Sequence, residues 1–106
     1  MAGSKELTLQ AGSLELVLSP SIGGAIRSFA WIGENGARTS LMRRCTADHP
    51  SVLDMASFPL VPYVNRVRGG RFNFRGREIR LAPNMKGDIS PLHGQGWLSA
   101  WAVEQA

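Results

Sequence analysis

Apolar residues along this chain alternate with polar ones instead of recurring at helical spacing, and a period of two predicts strands. Leu7 and Leu9, then Leu14, Leu16 and Leu18, read as two short strands joined by a turn at Ala11-Gly12-Ser13. Pro20-Ser21-Ile22-Gly23-Gly24 interrupts the pattern. It resumes as a half-buried strand over Ala25–Ile32 and stops at the turn residues Gly33-Glu34-Asn35-Gly36. Residues 37–50 show no period, and the stretch through Val52-Leu53-Asp54-Met55 predicts a loop with at most one helical turn. Phe58-Pro59-Leu60-Val61-Pro62 contains two prolines without an N–H to donate, so it predicts a sheet edge or a rigid extended entry into a site.

The clearest hairpin follows. Phe72 and Phe74 share one face while Arg71, Asn73 and Arg75 share the other; after Gly76 the parity repeats, with Ile79 and Leu81 inward and Glu78 and Arg80 outward. Residues 82–92 are polar and rich in turn formers, hence a loop, and residues 97–104 predict a last strand with Trp101 and Val103 partly inside. Short strands between frequent turns, with little helix, predict an all-β, antiparallel unit spanning residues 1–106, part of a sandwich or barrel.

Composition narrows the class. A chain of 106 residues has room for one domain with one modest core, and 43% hydrophobic with 19% charged residues is a globular balance. No run reaches the roughly 18 apolar residues of a membrane span, and Met1-Ala2-Gly3-Ser4-Lys5-Glu6 lacks the features of a signal peptide, so the expectation is a soluble, cytoplasmic protein. The single cysteine, Cys45, excludes an intramolecular disulfide and reads as a small structural residue. Cys45, Asp48 and His49 leave a tetrahedral metal shell unfilled, so no metal is expected.

The net charge of +4 raises the question of nucleic acid. The excess is local: Arg66, Arg68, Arg71, Arg75, Arg77 and Arg80 fall in one hairpin-like segment whose only acid is Glu78. A nucleic-acid surface would need Phe72 and Phe74 for stacking. Their shared parity predicts that they are buried instead, leaving a solvated arginine face and no nucleic-acid partner.

Chemistry concentrates in Val61-Pro62-Tyr63-Val64-Asn65-Arg66-Val67-Arg68-Gly69-Gly70 and, beyond the hairpin, in Leu92-His93-Gly94-Gln95-Gly96-Trp97. An Asn-Arg pair, an imidazole and an indole are groups that grip a small hydroxyl-rich ring: the guanidinium fork suits vicinal hydroxyls, and Gly94 lets backbone approach closely. Asn65, Arg66, His93 and Trp97 are therefore the candidate binding residues. Asn65 can equally bind sugar or brace its loop, Trp97 and Trp101 can each offer a ring face or fill the core, and for Trp101 the core is the better expectation.

At Asn65-Arg66 followed by His93-Gly94 and Trp97, the chain resembles the N-terminal portion of the aldose 1-epimerase (galactose mutarotase) family. The resemblance also runs through Gly-Ala-Ile-Arg-Ser-Phe after Gly23, Phe-Pro-Leu-Val-Pro-x-x-Asn-Arg, Phe-Asn-Phe-Arg-Gly and Pro-Leu-His-Gly-x-Gly-Trp. It implies part of a large antiparallel β-sandwich and an enzyme that interconverts the α and β anomers of free aldoses such as galactose or glucose. A carboxylate takes the anomeric proton, a protonated imidazole gives one to the ring oxygen, and the opened hemiacetal recloses on its other face. No cofactor or metal is required.

The resemblance implies that Arg66 binds sugar and that His93 supports binding near the ring oxygen. The family's general-acid histidine and general-base glutamate lie beyond Ala106, so the chain is expected to be an incomplete epimerase of low or no activity alone, prone to self-association through unpaired strand edges. The alternative is a non-catalytic carbohydrate-binding module that uses Arg66, His93 and Trp97 as a groove.

Overall fold

A computed structural model describes residues 6–106; the opening read for a leader, Met1 to Lys5, lies outside the described residues. Among the described residues, six antiparallel strands and three single turns of 3-10 helix make up the regular structure. Contacts within the chain cluster into two compact units, residues 60–96 forming the second and the flanking segments the first.

In the first unit, β1 (Leu7–Ala11), β2 (Leu14–Ser19), β3 (Ala25–Ile32) and β4 (Arg38–Met42) form a sheet in the order β1-β2-β3-β4. The tight turn after Ala11 uses Gly12 at φ +58°, a left-handed conformation that glycine adopts without strain. Register fixes the faces. Leu7 pairs with Leu18, Leu9 with Leu16, Leu14 with Trp31, Leu16 with Phe29 and Phe29 with Met42, so large apolar side chains collect on one side. Bulges between Val17 and Leu18 and between Phe29 and Ala30 preserve that sidedness past an extra residue in the partner strand.

The opposite side carries small and polar residues. Ser19, Ala25, Ser28 and Ala30 are buried there, with Arg38 donating to Glu15 at 2.6 Å and to the Ser28 hydroxyl at 3.2 Å. Glu15 sits below its ordinary carboxylate pKa chiefly because of that Arg38 hydrogen bond. Trp97 is the largest fully buried side chain, 1% exposed, and it stacks on Phe58 at a centroid separation of 5.7 Å. Gly23 lies against the Trp97 carbonyl so closely that no Cβ fits.

Two elements differ from expectation. Strand β4 lies in residues that show no period, because all five of its side chains are exposed and no buried face imposes alternation. Residues 97–104 hold part of a 3-10 turn at Gly96–Leu98 and then an irregular path, not a strand: the Trp101 N–H donates to the Pro20 carbonyl at 2.7 Å and the Gly23 N–H to the Ser99 carbonyl at 2.9 Å, without forming a ladder. Trp101 itself is exposed, against the expectation of core packing, with its indole over Gly24.

In the second unit, β5 (Arg71–Phe74) and β6 (Arg77–Arg80) form the predicted hairpin, pairing Arg71 with Arg80 and Phe72 with Ile79. Its two-residue turn places Arg75 and Gly76 at φ +49° and +74°, the doubly left-handed geometry that matches strand twist. Parity is as expected but burial is not. Phe72 and Phe74 are both exposed, and the Arg75 guanidinium sits 5.1 Å from the Phe74 ring centroid. The proline segment joins no ladder and holds a cis peptide at Val61-Pro62.

Candidate functional site

The second unit brings Asn65 and Arg66 beside Leu92 and His93. After the β5–β6 hairpin reverses the chain, the loop beyond it returns antiparallel to residues 65–70: Arg66 bridges Leu92, and the Val67 N–H reaches the Pro91 carbonyl at 3.2 Å. Gly70 turns the chain into the hairpin at φ +70°, where the Leu81 carbonyl leaves no room for a Cβ.

Asn65 and His93 are joined twice. The His93 N–H donates to the Asn65 carbonyl at 2.8 Å, and the Asn65 N–H donates to His93 Nδ1 at 2.8 Å. A nitrogen that accepts holds no proton, so the neutral imidazole carries its hydrogen on Nε2. Both residues adopt φ values of the left-handed region, +70° and +59°, where asparagine and histidine are enriched among non-glycines. The Asn65 side chain braces its own loop, accepting the Arg66 N–H at 2.9 Å.

Arg66 is held by a residue that the sequence did not single out. Its Nε donates to Asp88 Oδ2 at 2.6 Å, while Asp88 Oδ1 accepts the Ser90 N–H at 2.9 Å. These bonds, the arginine's first, keep the Asp88 carboxyl below its ordinary pKa. Asn84 was missed as well. It donates to the carbonyls of Leu92 and Gly94 at 2.7 and 3.0 Å and accepts the Leu92 N–H at 2.7 Å, clamping the backbone on either side of His93. The available signal was chemical: an acid and an amide in a polar loop next to an arginine-rich hairpin with a single acid of its own.

Gly94 has φ +69°, and a Cβ there would overlap Pro62 and the Val61 carbonyl, so the close approach expected of this glycine is made to the protein's own proline segment. Trp97 belongs to the first unit. Buried and stacked on Phe58, its indole has no face open for a sugar in this structure, and it fills the core, the other role weighed for it.

The first unit holds a polar groove of 630 Å³ lined by Glu6, Ser19, Ser21, Arg27, Asp48 and His49 among others. Arg27 and Glu6 are paired within it: Arg27 meets Glu6 at 3.2 Å and donates to the Ala47 carbonyl at 2.8 Å, and Ser19 donates to Glu6 at 3.2 Å. Cys45 is buried and His49 exposed, and among the described residues no three His, Cys, Asp or Glu side chains converge as metal ligands. No helix among the described residues is long and apolar enough to cross a membrane.

The sequence profile of the aldose 1-epimerase family matches residues 5–106, and this chain belongs to that family. The uncharacterised protein YphB of Escherichia coli strain K12 is 43% identical over 94 residues, which cover 89% of this chain and 30% of that protein. A crystal structure of a candidate aldose 1-epimerase from E. coli K12 superposes with a TM-score of 0.78 at 41% identity, covering 96% of this chain and 33% of the other. The aldose epimerase homologue of C. elegans shares the fold, with a TM-score of 0.67 at 18% identity over 97% of this chain and 33% of that one. The chain thus spans about a third of the length of the relatives it matches, and its fold is part of the family's antiparallel β-sandwich.

Proposed function

We propose that this chain carries the sugar-gripping part of an aldose 1-epimerase, with Arg66 and His93 as the groups that hold a free aldose such as galactose or glucose. The observation that carries this reading is the reciprocal pair between Asn65 and His93, directly beside Arg66. It sets Nε2 as the neutral imidazole's donor nitrogen, while the Asp88 bond limits the freedom of a side chain whose remaining guanidinium donors suit vicinal hydroxyls. Asn65 acts mainly as the brace of both partners. Trp97 supports the first unit's core. Proton transfer in this reading comes from family residues beyond the matched third, and no cofactor takes part.

The test is anomer equilibration of α-glucose and α-galactose followed by polarimetry. The chain alone should match buffer, because this reading draws acid and base from family residues outside the matched third. A chimera in which this chain replaces the matching third of YphB should accelerate the reaction, and His93→Ala or Arg66→Ala in that chimera should lower kcat/KM by roughly 100-fold. An active chimera indifferent to both substitutions would refute the assignment. Saturable tryptophan fluorescence change with monosaccharide, in a chimera without turnover, would favour the binding-module alternative.

A further inference from the structure

The bond between Asp88 and Arg66 is made at one defined atom. The carboxylate takes Nε, the donor nearest the chain, at 2.6 Å, and its other oxygen accepts the Ser90 N–H at 2.9 Å. The loop that carries Asp88 is itself tied down: the Asp88 N–H donates to the Met85 carbonyl at 3.1 Å, and the Ser90 hydroxyl accepts the Gly69 N–H at 3.0 Å. The terminal nitrogens of the guanidinium lie beyond the contact atom, on a side chain 52% exposed, so the fork can still donate to two neighbouring hydroxyls.

Charge gives the pair a second consequence. Residues 60–96 hold six arginines and Lys86 against two acids, Glu78 and Asp88. Glu78 meets Arg80, which leaves Asp88 as the acid beside Arg66. Hydrogen bonds from Arg66 and from the Ser90 backbone hold the Asp88 carboxyl below its ordinary pKa, so at neutral pH it is an anion and the pair carries no net charge.

We propose that Asp88 sets the charge preference of the sugar grip: by meeting Arg66 at Nε it orients the guanidinium and cancels its charge, so that the site holds uncharged aldoses in preference to acidic ones such as uronic acids. Without Asp88, Arg66 would be an unpaired cation in a basic unit, and a ligand carboxylate would be drawn to it whatever its hydroxyl pattern. With Asp88 in place, the guanidinium selects through hydroxyl geometry. Asp88 touches no sugar in this arrangement; it is a positioning residue that acts through Arg66. The inference rests on the reading of Arg66 as a sugar-binding residue.

The test compares glucose with glucuronate, a free aldose that carries a carboxylate, in the YphB chimera, with glucuronate followed as substrate and as competitive inhibitor. Asp88→Asn keeps an oxygen for the Ser90 N–H and loses the charge and the Arg66 contact, so the melting temperature should move by no more than a few degrees. The substitution should raise KM for glucose several-fold with kcat little changed. It should also shift relative affinity about 10-fold toward glucuronate, a shift that shrinks in high salt. Asp88→Glu should restore the original preference, and in an Arg66→Ala background Asp88→Asn should shift nothing. Asp88→Ser, which also keeps an acceptor for the Ser90 N–H, reads the same ratio if the amide is not tolerated. A ratio unchanged by loss of the carboxylate, or one that moves equally with Arg66 absent, would overturn the proposal. So would failure of every variant to bind glucuronate. Indifference of both sugars to Arg66→Ala would instead overturn the reading of Arg66 beneath it.

Discussion

Gly94 shows how one residue sets the site's tolerance. It combines a left-handed backbone with a contact that no Cβ survives, whereas Gly12 has the same sign of φ and open space around it. Gly12→Ala should therefore cost about 1 kcal/mol from backbone strain alone, and Gly94→Ala at least twice that, because the Val61 carbonyl cannot move aside as a flexible side chain would. Urea unfolding of the two variants measures the difference; equal losses would mean that the proline segment yields. Asp88 gives a second test at this scale. Its folded pKa is depressed, so its contribution is present above the ordinary carboxylate value of 3.8 and is lost only as pH falls through a lower folded value. A carboxyl-carbon NMR titration should place its midpoint below 3.8, and Arg66→Ala should bring it back up.

At the scale of elements, the loop around His93 is organised by one amide. Asn84→Ala removes three hydrogen bonds to the Leu92 and Gly94 backbone and should destabilise the second unit by about 2–3 kcal/mol. Asn84→Asp keeps the acceptor for the Leu92 N–H but sets a carboxylate against two carbonyls, so it should cost as much at neutral pH. Amide exchange at Leu92 reports both; unchanged protection would show that the loop holds its shape unaided. Strands β1, β2, β3, β5 and β6 were legible because alternation or turn chemistry marks them, as at Gly12 and Gly76. Strand β4 was not, since an exposed edge strand needs no pattern, and neither was the path of residues 99–106, where Trp101 and Val103 mimic strand parity while the backbone makes no ladder. Within the site, Asn65, Arg66 and His93 stood out by residue type. Asp88 and Asn84 did not, because their partners lie 22 and 8 or 10 residues away and only the fold closes those distances.

For the whole molecule, exposed apolar surface is a prominent feature of each unit, on the β1–β4 sheet of the first and at Phe72 and Phe74 on the hairpin of the second. The expected burial of those phenylalanines failed because parity specifies which side chains share a face, not whether anything covers it. Trp97→Ala should cost roughly 3–5 kcal/mol, enough to unfold a chain with so small a core, and loss of the cooperative thermal transition would register it. The position of that indole constrains the order of events during synthesis. Its stacking partner Phe58 precedes the second unit and Trp97 follows it, so a ribosome must make residues 60–96 before the first unit can close. A nascent polypeptide halted at Gly96 would already contain every strand of the described residues, yet would still wait for the one aromatic that Phe58 stacks on and Gly23 lies against.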